Sequence, residues 1–167
     1  MKVDSSDVFE PVFLAQSDTT AGFLCANPHK LNAIKKRDKN QKILLALSDC
    51  KELKKRFRIP LFAKKWVRNA KKTSFILPNK ESFRVVAESK ISLCKLRKQD
   101  CIQAHREFLS HFGGLYSTSA NESGKEFNLA WALQNADIIV LDSRGLFETK
   151  PSKIYKLGKN RAKILRH

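Results

Sequence analysis

Several features that would assign a protein to a common class are missing from this chain of 167 residues. No apolar run approaches the ~18 residues of a membrane span, so the sequence predicts a soluble protein with no membrane association. Residues Met1–Asp7 contain two acids and no apolar segment, which excludes a typical secretory signal and predicts a cytoplasmic location. The chain also lacks internal repeats, low-complexity blocks and flexible linkers. We therefore expect residues 1–167 to form a single domain with a substantial core.

Paired cysteines and catalytic triads are also missing. The cysteines are scattered, without a C-x-x-C pair, at Cys25, Cys50, Cys94 and Cys101. In an intracellular protein this pattern predicts reduced and mostly buried thiols. Cys101 and His105 are four residues apart on a predicted helix, but a metal would need further ligands, so no metal site is predicted. The histidines form no recognisable arrangement with a serine or cysteine nucleophile.

Acidic residues are few. There are 16 Asp and Glu against 33 Lys and Arg, which gives a net charge of +17 and a pI near 10.0. Fifteen of the basic residues fall between Lys35 and Lys72, and seven follow Glu148 with no further side-chain acid. A field of this sign attracts polyanions, most commonly nucleic acid, although a merely solubilising surface is the alternative. No RNA-recognition, KH, zinc-finger or helix-turn-helix signature identifies the polyanion.

Short strand-like and helix-like runs alternate along the chain. Strands are predicted at Val12–Gln16, Ile43–Leu47, Thr73–Leu77, Phe83–Val86, Leu115–Ser119, Asp137–Leu141, Lys153–Leu157 and Ala162–Leu165. Helices are predicted at about Pro28–Lys36, Cys50–Phe57, Lys98–Phe112 and Phe127–Gln134. The run before Asp142 has the composition of a buried strand. This order of elements predicts an α/β fold, an open sheet with packed helices, whose ligands bind at strand ends.

The stretch Tyr116–Gly124 carries four serine and threonine side chains, an amide and a glycine directly after a strand-like run. Such a composition favours a turn whose side chains and backbone N–H groups point at one ligand, particularly a phosphate. The alternative is a solvated loop. Lys35, Lys36 and Arg37, far upstream, would supply the positive charge that an anionic ligand needs.

Four segments, taken in order, resemble the YrdC-like family of threonylcarbamoyl-AMP synthases. They are Gln16–Phe23, Lys35–Lys42, Thr73–Pro78 and Ser117–Gly124. The most specific parts are the string S-T-S-A-N-x-S-G and a K-x-R ahead of a hydrophobic strand. In the tail, Pro151–Ile154 looks like the family's S-T-[IV] strand, and Ile164–Arg166 looks like its closing I-L-R. The resemblance covers about Phe13 to Arg166.

The resemblance implies a nucleotidyltransferase that uses ATP, L-threonine and bicarbonate to make threonylcarbamoyl-AMP for a tRNA modification. It implies a twisted, mostly parallel and mixed open sheet with helices on both faces and a large basic concave surface. ATP would bring Mg²⁺ with it, so neither a tightly bound cofactor nor a dedicated metal cage is implied. Transfer RNA or double-stranded RNA on the basic face, and tRNA-modification proteins, are the implied macromolecular partners.

The resemblance also assigns roles to single residues. Lys35 and Arg37 are the expected catalytic cations, offsetting the triphosphate charge, and with Asn121 and Arg166 they form the expected ATP site. The residues expected at threonine are Thr19, Arg84, Ser119 and Ser152. Phosphoryl transfer depends mainly on positioning and charge, so the missing triad is consistent with this chemistry.

Each of these residues also has a simpler interpretation. Lys35 and Arg37 would be two more cations of a basic run, and Ser119 and Asn121 would cap a turn. Arg84 would face solvent from its strand. The remaining alternatives concern the tail, where Ser152 would be an ordinary strand start and Arg166 would be frayed.

The chain departs from the family pattern in ways that keep a second function open. Ala21 stands where the family has an aromatic ring, which predicts an under-filled wall of the amino-acid pocket. Asn69–Ser74 replaces a Pro/Gly turn with a stretch containing two lysines, which predicts a more mobile and more basic loop. Asp38, Lys42 and Lys153 are further departures. The alternative is a YrdC-like module that binds tRNA or double-stranded RNA without synthase activity.

Overall fold

A nine-stranded mixed sheet organises the computed structural model, which describes residues 10–86 and 104–167. Its strands are β1 (Phe13–Gln16), β2 (Ala21–Cys25), β3 (Leu44–Leu47), β4 (Thr73–Ile76), β5 (Ser82–Val85), β6 (Leu115–Ser119), β7 (Ile138–Val140), β8 (Lys153–Leu157) and β9 (Ala162–Arg166). Across the sheet they run in the order β7-β1-β2-β6-β3-β5-β4-β8-β9. The predicted α/β fold with a mixed sheet is confirmed.

The expectation of a mostly parallel sheet is wrong. Only β1–β7, β3–β5 and β4–β8 are parallel, while the other five neighbouring pairs are antiparallel. The reason is the short connections of β1–β2, β4–β5 and β8–β9, because a tight turn can join only antiparallel neighbours.

Five helices pack on the sheet within the described ranges. They are α1 (Pro28–Ile34), α2 (Cys50–Arg56), α3 (Lys64–Asn69), α4 (described over 104–110) and α5 (Leu129–Gln134), with a 3₁₀ turn at Leu61–Ala63. Side-chain caps fix three of their starts. Asn27 accepts from the His29 N–H, Asp49 from those of Lys51 and Glu52, and Asn128 from that of Trp131. Each cap satisfies N–H groups that lack a partner inside the helix.

Helices cover both faces of the sheet because most strands are apolar on both sides. Leu14 and Phe23 pack beneath α1 and α5, and further along the same face Leu45 and Phe83 pack beneath α2 and α3. On the opposite face, Phe13, Leu24 and Ala46 pack against Leu109 of α4. The predicted helices on both faces are thus confirmed. In the described part of the chain, no helix is long and apolar enough to cross a membrane.

Most predicted elements are found close to their expected bounds, but four details differ. Strand β2 and helix α3 were not predicted. Strand β7 is an exposed edge with Ile139 45% accessible, not a buried strand. The hydroxyls of Ser117–Ser119 lie on β6 rather than on a turn. The predicted helix Lys98–Phe112 is described from residue 104 onward, and residues 98–103, Cys94 and Cys101 lie outside the described residues.

Candidate functional site

A tight turn organised by Ser17 connects β1 to β2 at one end of the sheet. The Ser17 Oγ donates to the Thr20 carbonyl at 2.7 Å and accepts from the N–H groups of Thr19 and Thr20, both at 3.1 Å. It also lies 3.1 Å from the Thr19 hydroxyl. A serine that bonds its own following backbone in this way fixes the turn without help from solvent.

Arg144 holds this turn from outside. Its guanidinium donates to the carbonyl oxygens of Ser17 and Gln16, each at 2.9 Å, and is paired with Asp142 at 2.5 Å. Although burial acts to raise it, hydrogen bonds and charge from Arg144 hold the pKa of Asp142 below its usual value. Arg144 was not among the predicted site residues. The available signal was the turn sequence Asp142-Ser-Arg-Gly145, where the glycine has a φ of 73°.

Arg84 of β5 points into the same turn. Its Nη1 donates to the Thr19 Oγ1 at 2.9 Å, and its Nε lies 3.4 Å from Asp18 Oδ1. Both charged side chains are nearly inaccessible, at 5% for Arg84 and 6% for Asp18. A buried guanidinium destabilises the folded state unless hydrogen-bond acceptors or a carboxylate lie beside it. The simpler interpretation, in which Arg84 faces solvent, is therefore wrong: the second face of the sheet lies under α4.

The last two strands bring a second arginine to this cluster. Ser152, just before β8, lies 3.0 Å from the Ser74 hydroxyl. Arg166 of β9 donates to the Ser152 carbonyl at 2.8 Å and to its hydroxyl at 3.3 Å. A bulge in the β8–β9 register aligns Arg166 with Ile154. Burial, and the neighbouring Arg84 charge, lower the pKa of Arg166. Arg166 is thus paired within a strand rather than frayed.

Lys35 is buried at the C-terminal end of α1 and reaches the exit of β6. Its Nζ donates to the carbonyls of Ser119, at 3.1 Å, and of Asn121, and to Asn121 Oδ1 at 3.0 Å. The local backbone conformation explains why the Lys35 side chain points in this direction. Lys36 has a left-handed φ of 52°, and the N–H groups of Lys36 and Arg37 bond back to Ala33 and Asn32. This helix-terminating motif turns Lys35 inward, whereas Arg37 is exposed.

Ser119 and Asn121 form the other side of the Lys35 contact. The Ser119 Oγ donates to Asn121 Oδ1 at 2.5 Å, and the Asn121 amide donates to the Lys125 carbonyl at 2.5 Å. Ser123 donates to the Lys35 carbonyl at 3.0 Å, which closes the loop onto α1. The Asn121 side chain therefore holds the loop in shape, and the Ser119 side chain is exposed at its edge.

The predicted site residues fall into two neighbouring groups. Thr19, Arg84, Ser152 and Arg166 form the hydroxyl–arginine cluster, together with Asp18 and Ser74. Lys35, Ser119 and Asn121 form the lysine–loop junction. Pairing of Gly22 with Ser119, and the bond from the Ala120 N–H to the Ala21 carbonyl, place the junction beside the β1–β2 turn. The Arg37 side chain makes no hydrogen bond or ion pair within the described ranges, but its charge adds to burial in lowering the pKa of Lys35 to about 8.

His105 is a polar residue beneath the hydroxyl–arginine cluster that the sequence analysis considered only as a metal ligand. It is 3% accessible on α4, and within the described ranges neither ring nitrogen has a hydrogen-bond partner. Burial lowers its pKa to about 4, and the charges of Asp18 and Arg84 act on it in opposite directions. The described residues contain no group of three or more His, Cys, Asp or Glu side chains that could hold a metal.

Ala21, where a ring was expected, is closely packed. It is 1% accessible and belongs to the apolar cluster that includes Trp131 and Leu146. Its position is thus covered by other side chains, contrary to the predicted under-filled wall. In the predicted mobile loop, Lys72 accepts from the Lys153 N–H at 3.0 Å and has a left-handed φ of 49°.

The arrangement is suited to anions. Arg84 and Arg166 lie in one cluster with the hydroxyls of Thr19 and Ser152, and Asp18 is the carboxylate beside Arg84. Lys35 lies in the neighbouring junction. Guanidinium groups bind carboxylates and phosphates through paired hydrogen bonds, and a lysine acts as a point charge.

Comparison with known proteins bears on the family of the chain. The family model described as Sua5, YciO and YrdC, telomere recombination, matches residues 14–167. No curated protein sequence matches the chain significantly.

Solved structures share the fold. YciO of E. coli has a TM-score of 0.69 at 18% identity, over 95% of this chain and 83% of that one. The MTH1692 protein of Methanobacterium thermoautotrophicum has a TM-score of 0.62 at 18% identity, over 94% and 80%. Sua5 of P. abyssi in complex with L-threonine has a TM-score of 0.67 at 14% identity, over 93% of this chain and 50% of that one. The chain thus spans half of that Sua5, and with the match over residues 14–167 it belongs to the Sua5/YciO/YrdC family.

Proposed function

We propose that the chain is an L-threonylcarbamoyladenylate synthase that acts on ATP, L-threonine and bicarbonate. The observation that carries this proposal is the buried Arg84, which bonds Thr19 and lies beside Asp18 and Arg166. With one carboxylate, Asp18, beside the two arginines, the cluster has a net positive charge that is suited to a small carboxylate such as that of an amino acid. The similar fold of a Sua5 that was solved with L-threonine supports the same substrate.

The residues divide the reaction between them. In this proposal Arg84 binds the threonine carboxylate, while Thr19, Ser119 and Ser152 offer hydroxyls to its polar groups. Bicarbonate carboxylates the threonine amine with loss of water. A carbamate oxygen then attacks the α-phosphorus of ATP, and the bond to pyrophosphate breaks.

The cations stabilise charge during this displacement. Lys35, Arg37 and Arg166 offset the negative charge of the phosphates, and Asn121 keeps the loop of β6 in place beside them. Mg²⁺ accompanies ATP and supplies further charge neutralisation. Such a displacement needs positioning and electrostatics rather than a covalent protein group.

Pyrophosphate release tests this proposal. We expect release from ATP that requires both L-threonine and bicarbonate, and that falls at least about tenfold in Ser119→Ala, since the substitution removes one polar contact at the substrate. Ser119 is exposed, so its removal leaves the core intact. Ser110→Ala is the matched control, because Ser110 is an exposed serine of α4. Threonine-independent release, or equal losses in both variants, contradicts the proposal.

A second candidate is a YrdC-like module that binds tRNA or double-stranded RNA without adenylate chemistry. The observation that favours it is the net charge of +17. Salt-sensitive RNA binding that Ser119→Ala leaves unchanged, with no pyrophosphate release in any condition, would support this module and exclude the synthase.

A further inference from the structure

A basic cleft of about 580 Å³ lies between α2 and α3. Six cationic side chains line it: Lys54, Lys55, Arg56, Arg58, Lys64 and Arg68. Within the described ranges no acid lines the cleft, and the nearby Glu52 pairs with Lys55 at 2.6 Å and Arg56 at 4.0 Å. The other four cations have no ion-pair partner among the described residues. Their mutual repulsion favours an anionic occupant.

The floor of the cleft is apolar. Leu53, Phe57, Ile59 and Val67 line it beneath the cations. Beside it, the 3₁₀ turn exposes two large apolar side chains, Leu61 at 82% and Phe62 at 44% accessibility. An apolar floor, a cationic rim and an adjacent exposed ring are the parts that proteins use to bind unpaired bases and their phosphates together.

The cleft lies on the opposite face of the sheet from the Arg84 side chain. Phe83 and Val85 of β5 pack toward α2 and α3, so Arg84 between them points to the other face. A ligand in this cleft therefore does not compete with one at Arg84.

We propose that this α2–α3 cleft binds single-stranded nucleic acid. The cations contact successive phosphates, and unpaired bases stack on Phe62 and contact the half-buried Phe57 and Ile59 of the cleft. A double helix keeps its bases stacked inside and cannot present them to a recessed floor. An anionic membrane surface would engage the cations and Phe62, but a flat surface would not reach the half-buried Phe57 and Ile59 inside the cleft.

Fluorescence anisotropy with a labelled single-stranded RNA of about twelve nucleotides tests the proposal. We expect the triple variant Arg58→Gln, Lys64→Gln, Arg68→Gln to weaken binding at least about tenfold. It should also reduce the slope of log affinity against log salt by about 2, since each lost phosphate contact contributes about 0.7 for a single strand. Phe62→Ala should weaken binding about fivefold or more through lost stacking. Pyrophosphate release should be unchanged in both variants.

The control is a triple variant with the same charge change, Lys150→Gln, Lys159→Gln, Lys163→Gln, whose lysines are exposed on and before the β8–β9 hairpin. It should retain the affinity within about twofold. An equal loss of affinity in this control would show that net charge alone accounts for the binding and would overturn the proposal. So would equal or tighter binding of a duplex of the same length, or binding of anionic vesicles that depends on Phe62 while RNA binding does not.

Discussion

At the scale of single residues, the αL conformation of Lys36 is what directs Lys35 into the candidate site. A residue other than glycine in this region is strained by about 1 kcal/mol. Lys36, with a φ of 52°, ends α1 by bonding back to Ala33, and the chain then turns at Arg37. The K-x-R pattern is therefore a helix end that separates its two cations: one side chain is buried and the other is exposed.

The first residue-scale prediction concerns this strain. Lys36→Gly should raise the free energy of unfolding by about 0.5–1 kcal/mol, because glycine adopts the left-handed region without steric cost. Chemical denaturation measures it. Lys30→Gly, within α1, is the matched control and should lower stability by about 1 kcal/mol. A loss of stability in Lys36→Gly would show that the lysine side chain, not its backbone, matters here.

The second residue-scale prediction concerns the charge of Lys35. Burial lowers its pKa to about 8, so Lys35 is cationic at neutral pH and becomes neutral above pH 8. We expect ATP affinity to fall about tenfold as the pH rises through this value, since a charge-assisted contact is lost. Isothermal titration calorimetry at a series of pH values measures this. The Lys35→Arg variant stays charged over this pH range. If its ATP affinity falls in the same way, the group that titrates is not Lys35.

At the scale of elements, α4 places His105 under the β1–β2 turn. Burial lowers the pKa of His105 from 6.5 to about 4 in the folded state. Between these values the unfolded chain binds more protons than the folded one, so stability falls as the pH drops. The charges that act on the ring are those of Asp18, Arg84, Arg144 and Asp142.

This dependence gives an element-scale prediction. From pH 6.5 down to pH 4 the free energy of unfolding should fall by an amount on the order of 3 kcal/mol from His105 alone. His105→Leu should flatten the profile in this window, because a side chain of similar size then occupies the site without titrating. Denaturant unfolding at several pH values measures both proteins. An unchanged slope in His105→Leu would show that His105 is not the residue that titrates.

The observed helices and strands also show which parts of the fold the sequence patterns predict. Strands such as Ile43–Leu47 and Lys153–Leu157 were predicted because their apolar pattern is typical of a strand wherever it lies in the fold. Strand β2 was missed because Gly22 and the polar turn before it look like a loop, although all of Ala21–Cys25 is buried. Helix α3 was missed because its lysines made it look like a basic run.

Whether a site residue on a strand is buried depends on which face of the sheet another element covers. The local sequence does not show this. Arg84 alternates with Phe83 and Val85, a pattern that fits a solvent-facing side chain equally well. Only the packing of α4 on the second face makes Arg84 an internal charge. The sequence motifs predicted which residues belong to the candidate site. The roles of Arg144 and His105 depend instead on contacts between segments far apart in the chain.

At the scale of the whole molecule, the charge of +17 is the dominant property. Like charges repel more strongly in the compact state than in the unfolded chain, and salt screens this repulsion. Raising sodium chloride from about 0.05 to 0.5 M should therefore raise the thermal midpoint by about 2–4 °C, which corresponds to about 1 kcal/mol for a chain of this size. Differential scanning fluorimetry measures it. A midpoint that stays constant or falls would show that favourable ion pairs outweigh the repulsion.

The strand order has a consequence for how the chain folds. β6 lies between β2 and β3, although more than sixty residues separate it from the nearer of the two along the chain. Until β6 docks, β1–β2 and β3–β5 belong to separate halves, and the turn that carries Thr19 is apart from the strand that carries Arg84. Joining them requires closure of a long loop, which slows folding relative to proteins built from local contacts. We therefore expect the hydroxyl–arginine cluster to assemble late in folding, when the central sheet is completed.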